Sequence, residues 1–313
     1  MLLSAALALI FPFELFLFSI IILGPLHYLT EISWLEKRNF FVQSKSNIIF
    51  LILLGIAVIL PNLDKHSPLT PYQTPLLAAT FVYAIGLIMH KNFGYNFSYF
   101  VIALVLGIAF NISKMSWASI IFAVLLPTMI HVLLFTGIFL LSGAVKNKTK
   151  AEYIQLLVFI ACIAAIMLPA YSFNWYSVSK GVKELYILPL AIVNGVLSKM
   201  FGTGQLRSIN DVFVGAAQMK IMALIAFAYT YHYLNWFSKT TVIKWHEVSK
   251  PRLVGIIVIW AIVVLACVWD YEKGFLLLSF LSLMHVILEF PLNIKAMGDI
   301  GRSFSSESKM TKA

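Results

Sequence analysis

Nine apolar runs, most long enough to cross a lipid bilayer, recur along this chain, separated by short loops that hold most of its charge. A bilayer core about 30 Å thick calls for about 20 predominantly apolar residues in a helix. Inside that core every backbone N–H and C=O must find its partner within the protein. The runs lie at 6–34, 46–61, 74–90, 97–113, 117–143, 153–172, 211–238, 253–269 and 274–294. They are unbroken, whereas the strands of a membrane barrel alternate polar and apolar residues. With 61% hydrophobic and 12% charged residues over 313 positions, the composition excludes a soluble globular domain. The expected fold is all-α: a polytopic transmembrane bundle of about nine spans. Residues 1–294 are expected to form one transmembrane domain, and 295–313 a polar cytoplasmic tail.

The segment 185–201 is apolar but holds Pro189, Asn194, Gly195 and Lys199. The enrichment of Lys and Arg in cytoplasmic loops arbitrates its role. If it does not cross, the loops 35–45, 146–150 and 239–252, Lys91 and the tail place 15 basic residues on one side against 7 on the other. If it crosses, the split is 10 against 12 and no orientation is favoured. The segment is therefore expected to be re-entrant or interfacial. The N-terminus falls outside and the C-terminus in the cytoplasm of a bacterial inner membrane. Gly202, Gly204, Ser208, Asn210 and Asp211 then read as a turn and a helix cap. The same distribution explains the net charge of +10, which lies in loops and is not a nucleic-acid footprint. Cys162 and Cys267 fall inside apolar runs and read as small hydrophobes. The apolar N-terminus lacks a basic n-region and reads as a retained helix.

Four histidines stand inside apolar runs, each in a different one: His27, His131, His232 and His285. An imidazole in hydrocarbon is costly unless bonded, so any one of them could be a core residue held by a carbonyl or a glutamate. Four on separate helices suggest a shared object, a metal ion or a proton path. The topology also gives them a common depth, between mid-membrane and the inner surface, with His90 closing the third span at that end. His90 is a reserve ligand. His66 and His246 lie in loops and read as ordinary.

Two of the contexts repeat: His27 is followed four residues later by Glu31, and His285 by Glu289. That spacing puts each pair on one helix face. Asn235 follows His232 by three. A carboxylate or amide that fixes the imidazole tautomer is what a metal ligand needs, so Glu31, Glu289 and Asn235 are candidates to orient the histidines. Neutral imidazoles without thiolate suit Fe(II), favoured here, or Zn or Cu. No HExxH occurs, which argues against a zincin protease, and no HxxxH or HxxHH, which argues against the common membrane di-iron enzymes. No run carries two histidines, which disfavours bis-histidine haem.

Helix 211–238 surrounds His232 with Tyr229, Tyr231, Tyr233 and Trp236. These could wall a conjugated or prenyl substrate, or form an interfacial aromatic belt, the better reading for Tyr233 and Trp236. Lys220 lies near the outer end of its run and can snorkel. Glu14 is an outer-half carboxylate, a proton site or a mark of the membrane edge.

The stretch Gly24-Pro25-Leu26-His27-Tyr28-Leu29-Thr30-Glu31, with lone histidines in later helices, resembles the Brp/Blh family of bacterial membrane proteins. That family includes β-carotene dioxygenases that use histidine-bound iron to cleave carotene to retinal. The resemblance covers a Pro-x-His-x-x-x-acid element and the general plan. The family places two histidines one turn apart on one helix, where this chain has Trp236 after His232 and Glu289 after His285. What the resemblance implies is His27 as an iron ligand and a membrane oxygenase as the class.

The leading expectation is thus a membrane non-haem iron oxygenase acting on an apolar lipid or isoprenoid drawn from the bilayer. A proton-coupled transporter or channel using the same His and Glu residues as a relay is the alternative. A partner-binding subunit of a membrane complex is the third reading.

Overall fold

The computed structural model of the chain describes residues 1–38, 44–63, 67–112, 120–168, 173, 175–187, 191–201, 208–241 and 243–310. Among them the only regular elements are helices, as expected. They are α1 (Leu2–Ile10), α2 (Pro12–Phe18), α3 (Gly24–Lys37), α4 (Lys45–Ile59), α5 (Gln73–Met89), α6 (Phe93–Ile112), α7 (Thr136–Asn147), α8 (Lys150–Met167), α9 (Lys180–Ile187), α10 (Ala191–Met200), α11 (Ala216–Ser238), α12 (Lys250–Trp269) and α13 (Tyr271–Met310). Two π-wound stretches, Ser19–Leu23 and Ile120–Phe135, lead into α3 and α7. Each has a proline at hand, Pro25 just beyond the first and Pro127 within the second. A proline has no N–H to give the carbonyl four residues back, and wider winding absorbs the missing rung.

Among the described residues, eight helical stretches are long and apolar enough to cross a membrane: Pro12–Lys37, Lys45–Asn62, Thr70–Met89, Phe93–Phe110, Val124–Asn147, Lys150–Met167, Lys250–Trp269 and Tyr271–Arg302. They match eight of the nine expected runs. The ninth, 211–238, folds as the 23-residue α11 but falls short in apolarity. It is walled in by protein: every residue from Ile221 to Tyr231 is buried. A helix that shows little surface to lipid can carry Gln218, Lys220 and tyrosines. The segment 185–201 contributes to α9 and α10, set at 78° to each other, a bend that suits a re-entrant turn or a broken span.

The chain divides into two compact units. The first comprises Met1–Leu23, Thr128–Ser238 and Ala296–Ala313; the second comprises Gly24–Pro127 and Lys239–Lys295. The expected start of the tail at 295 falls inside α13, which runs on to Met310, and at the division between the two units.

In the first unit α11 is the core. Ser19 Oγ lies 2.7 Å from Thr230 Oγ1, and the Phe16 ring meets Tyr229 at 5.0 Å. Phe13 packs edge-on against Tyr186 at 4.9 Å. The expected first run, 6–34, is cut at Phe11, where Pro12 opens a new helix at a position that needs no N–H donor. Met1 and Leu2 line a cleft together with Ala151 at the start of α8 and Ser238 at the end of α11. An N-terminus outside and Ser238 at the inner surface therefore do not hold together: both ends face one cleft. Ser208 caps the 3-10 turn Ile209–Phe213 in a reciprocal capping box with Asp211, as the turn chemistry predicts.

The second unit packs α4, α5 and α6 through Phe50, whose ring meets Tyr83, Phe93, Phe97 and Phe100 at 4.9–5.7 Å. Tyr83 donates its hydroxyl to Asn47 Oδ1 at 2.8 Å. At Gly55 α4 comes so close to α13 that a Cβ would lie 2.6 Å from Met284 Sδ. The C-terminal end of α3 is tied down by Trp34, which donates to the Ile243 carbonyl at 2.7 Å, and by a 2.6 Å ion pair between Glu36 and Arg252 on α12. These ties fix the axial position of the helix that carries His27.

Candidate metal centre

In the second unit, α3 and α13 bring their His-x-x-x-Glu pairs together. His27 Nε2 lies 3.1 Å from Glu31 Oε2, one turn onward on the same helix. His285 Nε2, from α13, lies 4.0 Å from that same oxygen. The two imidazoles meet edge to face with centroids 5.1 Å apart, and Tyr28 stacks on His285 at 4.4 Å and 23°. All are enclosed: His27 and His285 are 1% exposed and Glu31 2%. Glu289 is buried as well.

The tautomer of His285 is set by its surroundings. Nδ1 lies 2.8 Å from the Ser282 carbonyl, which can only accept, so Nδ1 carries the proton. In the neutral ring Nε2 then holds a lone pair aimed toward Glu31. This is the arrangement that prepares an imidazole to bind a metal. Helix geometry supplies it: a side chain on α13 reaches the carbonyl three residues back, on its own face.

The first unit holds the other two histidines. His131, on the π-wound stretch, and His232, on α11, have ring centroids 5.0 Å apart. His232 Nδ1 lies 2.9 Å from Thr136 Oγ1 at the start of α7. So the role expected of Asn235, to orient His232, is held by Thr136. Asn235 turns instead toward the residue one turn before it and accepts from the Tyr231 hydroxyl at 3.5 Å. The aromatic residues of α11 are not an interfacial belt: Tyr229, Tyr231, Tyr233 and Trp236 are all buried in protein.

His90, the reserve ligand, has a local task. It ends α5, its Nε2 lies 3.0 Å from Tyr99 Oη, and its carbonyl accepts from Asn96. It stands apart from the His27–Glu31–His285 cluster of its own unit. His246 is exposed, and His66 lies outside the described residues. Glu14 accepts a 2.6 Å bond from Tyr176, and burial, together with that bond, pushes the Tyr176 hydroxyl well above its usual range. Cys162 and Cys267 are free and buried.

Asn293 was not anticipated. It continues the α13 stripe of His285 and Glu289 by one more turn, is fully buried, and makes no hydrogen bond through either amide atom among the described residues. Extending the four-residue period beyond Glu289 would have found it. Nothing local marks Thr136, which lies 96 residues from the histidine it holds.

The chain matches no family model, no curated protein and no solved structure.

Proposed function

We propose that the chain is an integral membrane metalloenzyme, a non-haem iron oxygenase acting on an apolar lipid or isoprenoid. The observation that carries this reading is the His27–Glu31–His285 cluster, with the Nε2 of both imidazoles directed at one carboxylate oxygen. Metal–ligand bonds of about 2.0–2.2 Å put neighbouring donor atoms about 3 Å apart, close to the His27–Glu31 spacing. Two imidazoles and one carboxylate form the donor set typical of non-haem Fe(II), with positions left open. The same donors accept Zn or Cu. Burial of Glu31 and Glu289 among apolar helices supports a cation as well, since enclosed carboxylates are costly without one.

When bound, the ion supplies activation of dioxygen toward a carbon–carbon or carbon–hydrogen bond. The chain supplies the rest. His27, His285 and Glu31 hold the ion, and the Ser282 carbonyl fixes which nitrogen His285 presents. Tyr28 covers the His285 ring, and the buried walls of α3 and α13 keep water out. The resemblance to the Brp/Blh family supports iron and an isoprenoid substrate. Placement in a bacterial inner membrane with a cytoplasmic C-terminus belongs to the same proposal and rests on the basic loops.

Oxygen uptake by Fe(II)-loaded protein in liposomes containing β-carotene or squalene tests the class. Uptake that needs both iron and isoprenoid, and that His285→Ala abolishes, is expected. Iron bound with no uptake on either substrate would overturn the oxygenase assignment. The second reading, a proton relay, draws on the same 3.1 Å His27–Glu31 pair, which can pass a proton with no ion present.

A further inference from the structure

Beside the cluster, the second unit contains an apolar groove of about 310 Å³ between α3, α4 and α13, lined by Leu29, Ile32, Ile48, Ile52, Met284 and Leu288. Its residues alternate along the chain with those of the cluster. Leu29 and Ile32 flank Glu31 on α3, Met284 precedes His285, and Leu288 precedes Glu289. At about 100° per residue, Leu29 and Ile32 fall on the side of α3 away from His27, and Tyr28 falls between the two sides. Tyr28 is 1% exposed and its ring lies flat on His285.

We propose that this groove takes the hydrocarbon chain of a single-chain amphiphile with an anionic head, entered sideways from the bilayer. The groove is a site separate from the His27–Glu31–His285 cluster and goes beyond the functional reading above. Three observations identify the occupant. Ile48 and Ile52 remain 40% and 39% exposed on a stretch that can cross a membrane, so the groove opens toward lipid. Its volume holds on the order of ten methylene groups, each taking about the 30 Å³ of a water molecule. That suits one chain, not a two-chain phospholipid. At the end marked by Glu36, Lys37 and Arg38 at the end of α3, Lys45 at the start of α4 and Arg252 on α12 supply four cations against Glu36; Arg252 is paired with Glu36, Lys37 donates to the Glu247 carbonyl and Arg38 lies over the Trp34 ring. That excess of positive charge complements an anionic head and disfavours a neutral one.

Photo-crosslinking of full-length protein in phosphatidylcholine nanodiscs with a diazirine-bearing palmitate, mapped by peptide mass spectrometry, tests this. Labelling should concentrate on α4 and α13 groove residues and be displaced by unlabelled palmitate at least fivefold better than by hexadecanol. Ile52→Trp and Ile48→Trp, each filling the groove from an exposed position, should cut it at least fivefold. Labelling no denser than on the lipid face of α6 at Val101 and Val105, or not displaced, would overturn the groove as a site and leave ordinary bilayer lipid. Equal displacement by hexadecanol would overturn the anionic head. Metal content measured on the same samples reports on the metal centre separately: displaceable labelling without metal sinks that reading and keeps the groove.

Discussion

At the scale of single residues, the account turns on how an imidazole is kept ready. His285 gives its Nδ1 proton to the Ser282 carbonyl and turns Nε2 toward Glu31. Removing a donor should therefore act on metal affinity first. His27→Ala and His285→Ala are expected to weaken Fe(II) binding by about 100-fold or more, and Glu31→Gln by about 10- to 100-fold. Competitive titration against a chelating dye measures this; affinity within threefold of native in Glu31→Gln would remove that carboxylate from the donor set. Thr136→Val should lower stability by about 1 kcal/mol through the lost bond to His232, with Thr136→Ser near native. Thermal unfolding of both variants in detergent separates the hydroxyl from the methyl. The His-x-x-x-Glu pairs were legible in sequence because their partners are one turn apart on one helix. The Thr136 contact was not, because tertiary packing creates it. Asn235 was misread because its neighbour at four residues, Tyr231, competes for its carbonyl oxygen.

At the scale of elements, lipid and protein make different demands on a helix. Eight runs were legible as spans because hydrocarbon filters composition strongly. The place of α11 was hidden because a helix packed in protein needs shape more than apolarity. Ala226 on α11 is fully buried. Ala226→Leu is expected to cost about 1–3 kcal/mol by overpacking. Val105→Leu, on the lipid-facing side of α6, should leave the melting temperature unchanged. Similar losses at both positions would contradict the core role of α11. At the start of α13, Asp270 accepts from the Lys273 backbone N–H at 3.2 Å and pairs with its ammonium at 2.8 Å. The Lys273 side-chain bond, first, and its backbone bond hold the Asp270 carboxyl below its usual value. A folded-state value lowered in this way adds stability above the unfolded value, and that stability is lost as pH falls through the folded one. Asp270→Asn should therefore lower the melting temperature at neutral pH, with the gap to native closing on acidification below the ordinary aspartate range.

At the scale of the whole molecule, the chain divides into two compact units, and each holds one pair of the four histidines. Hydropathy reports spans and not which spans pack together, so this division was invisible in sequence. The break at Pro12 was overlooked because α1 and α2 are equally apolar. Single cysteines at Leu2 and Ser238, introduced after replacing Cys162 and Cys267 by serine, should react with an impermeant maleimide from the same side of the membrane. Labelling from opposite sides would contradict the shared cleft of Met1 and Ser238. The most direct test of the central claim is elemental analysis of the detergent-purified protein, native and as His285→Ala, with His131→Ala and His232→Ala alongside to test the expectation that all four imidazoles serve one ion. Near-stoichiometric iron in the native chain that disappears in His285→Ala is the predicted result; no transition metal in the native chain would contradict the metalloenzyme and favour the proton relay.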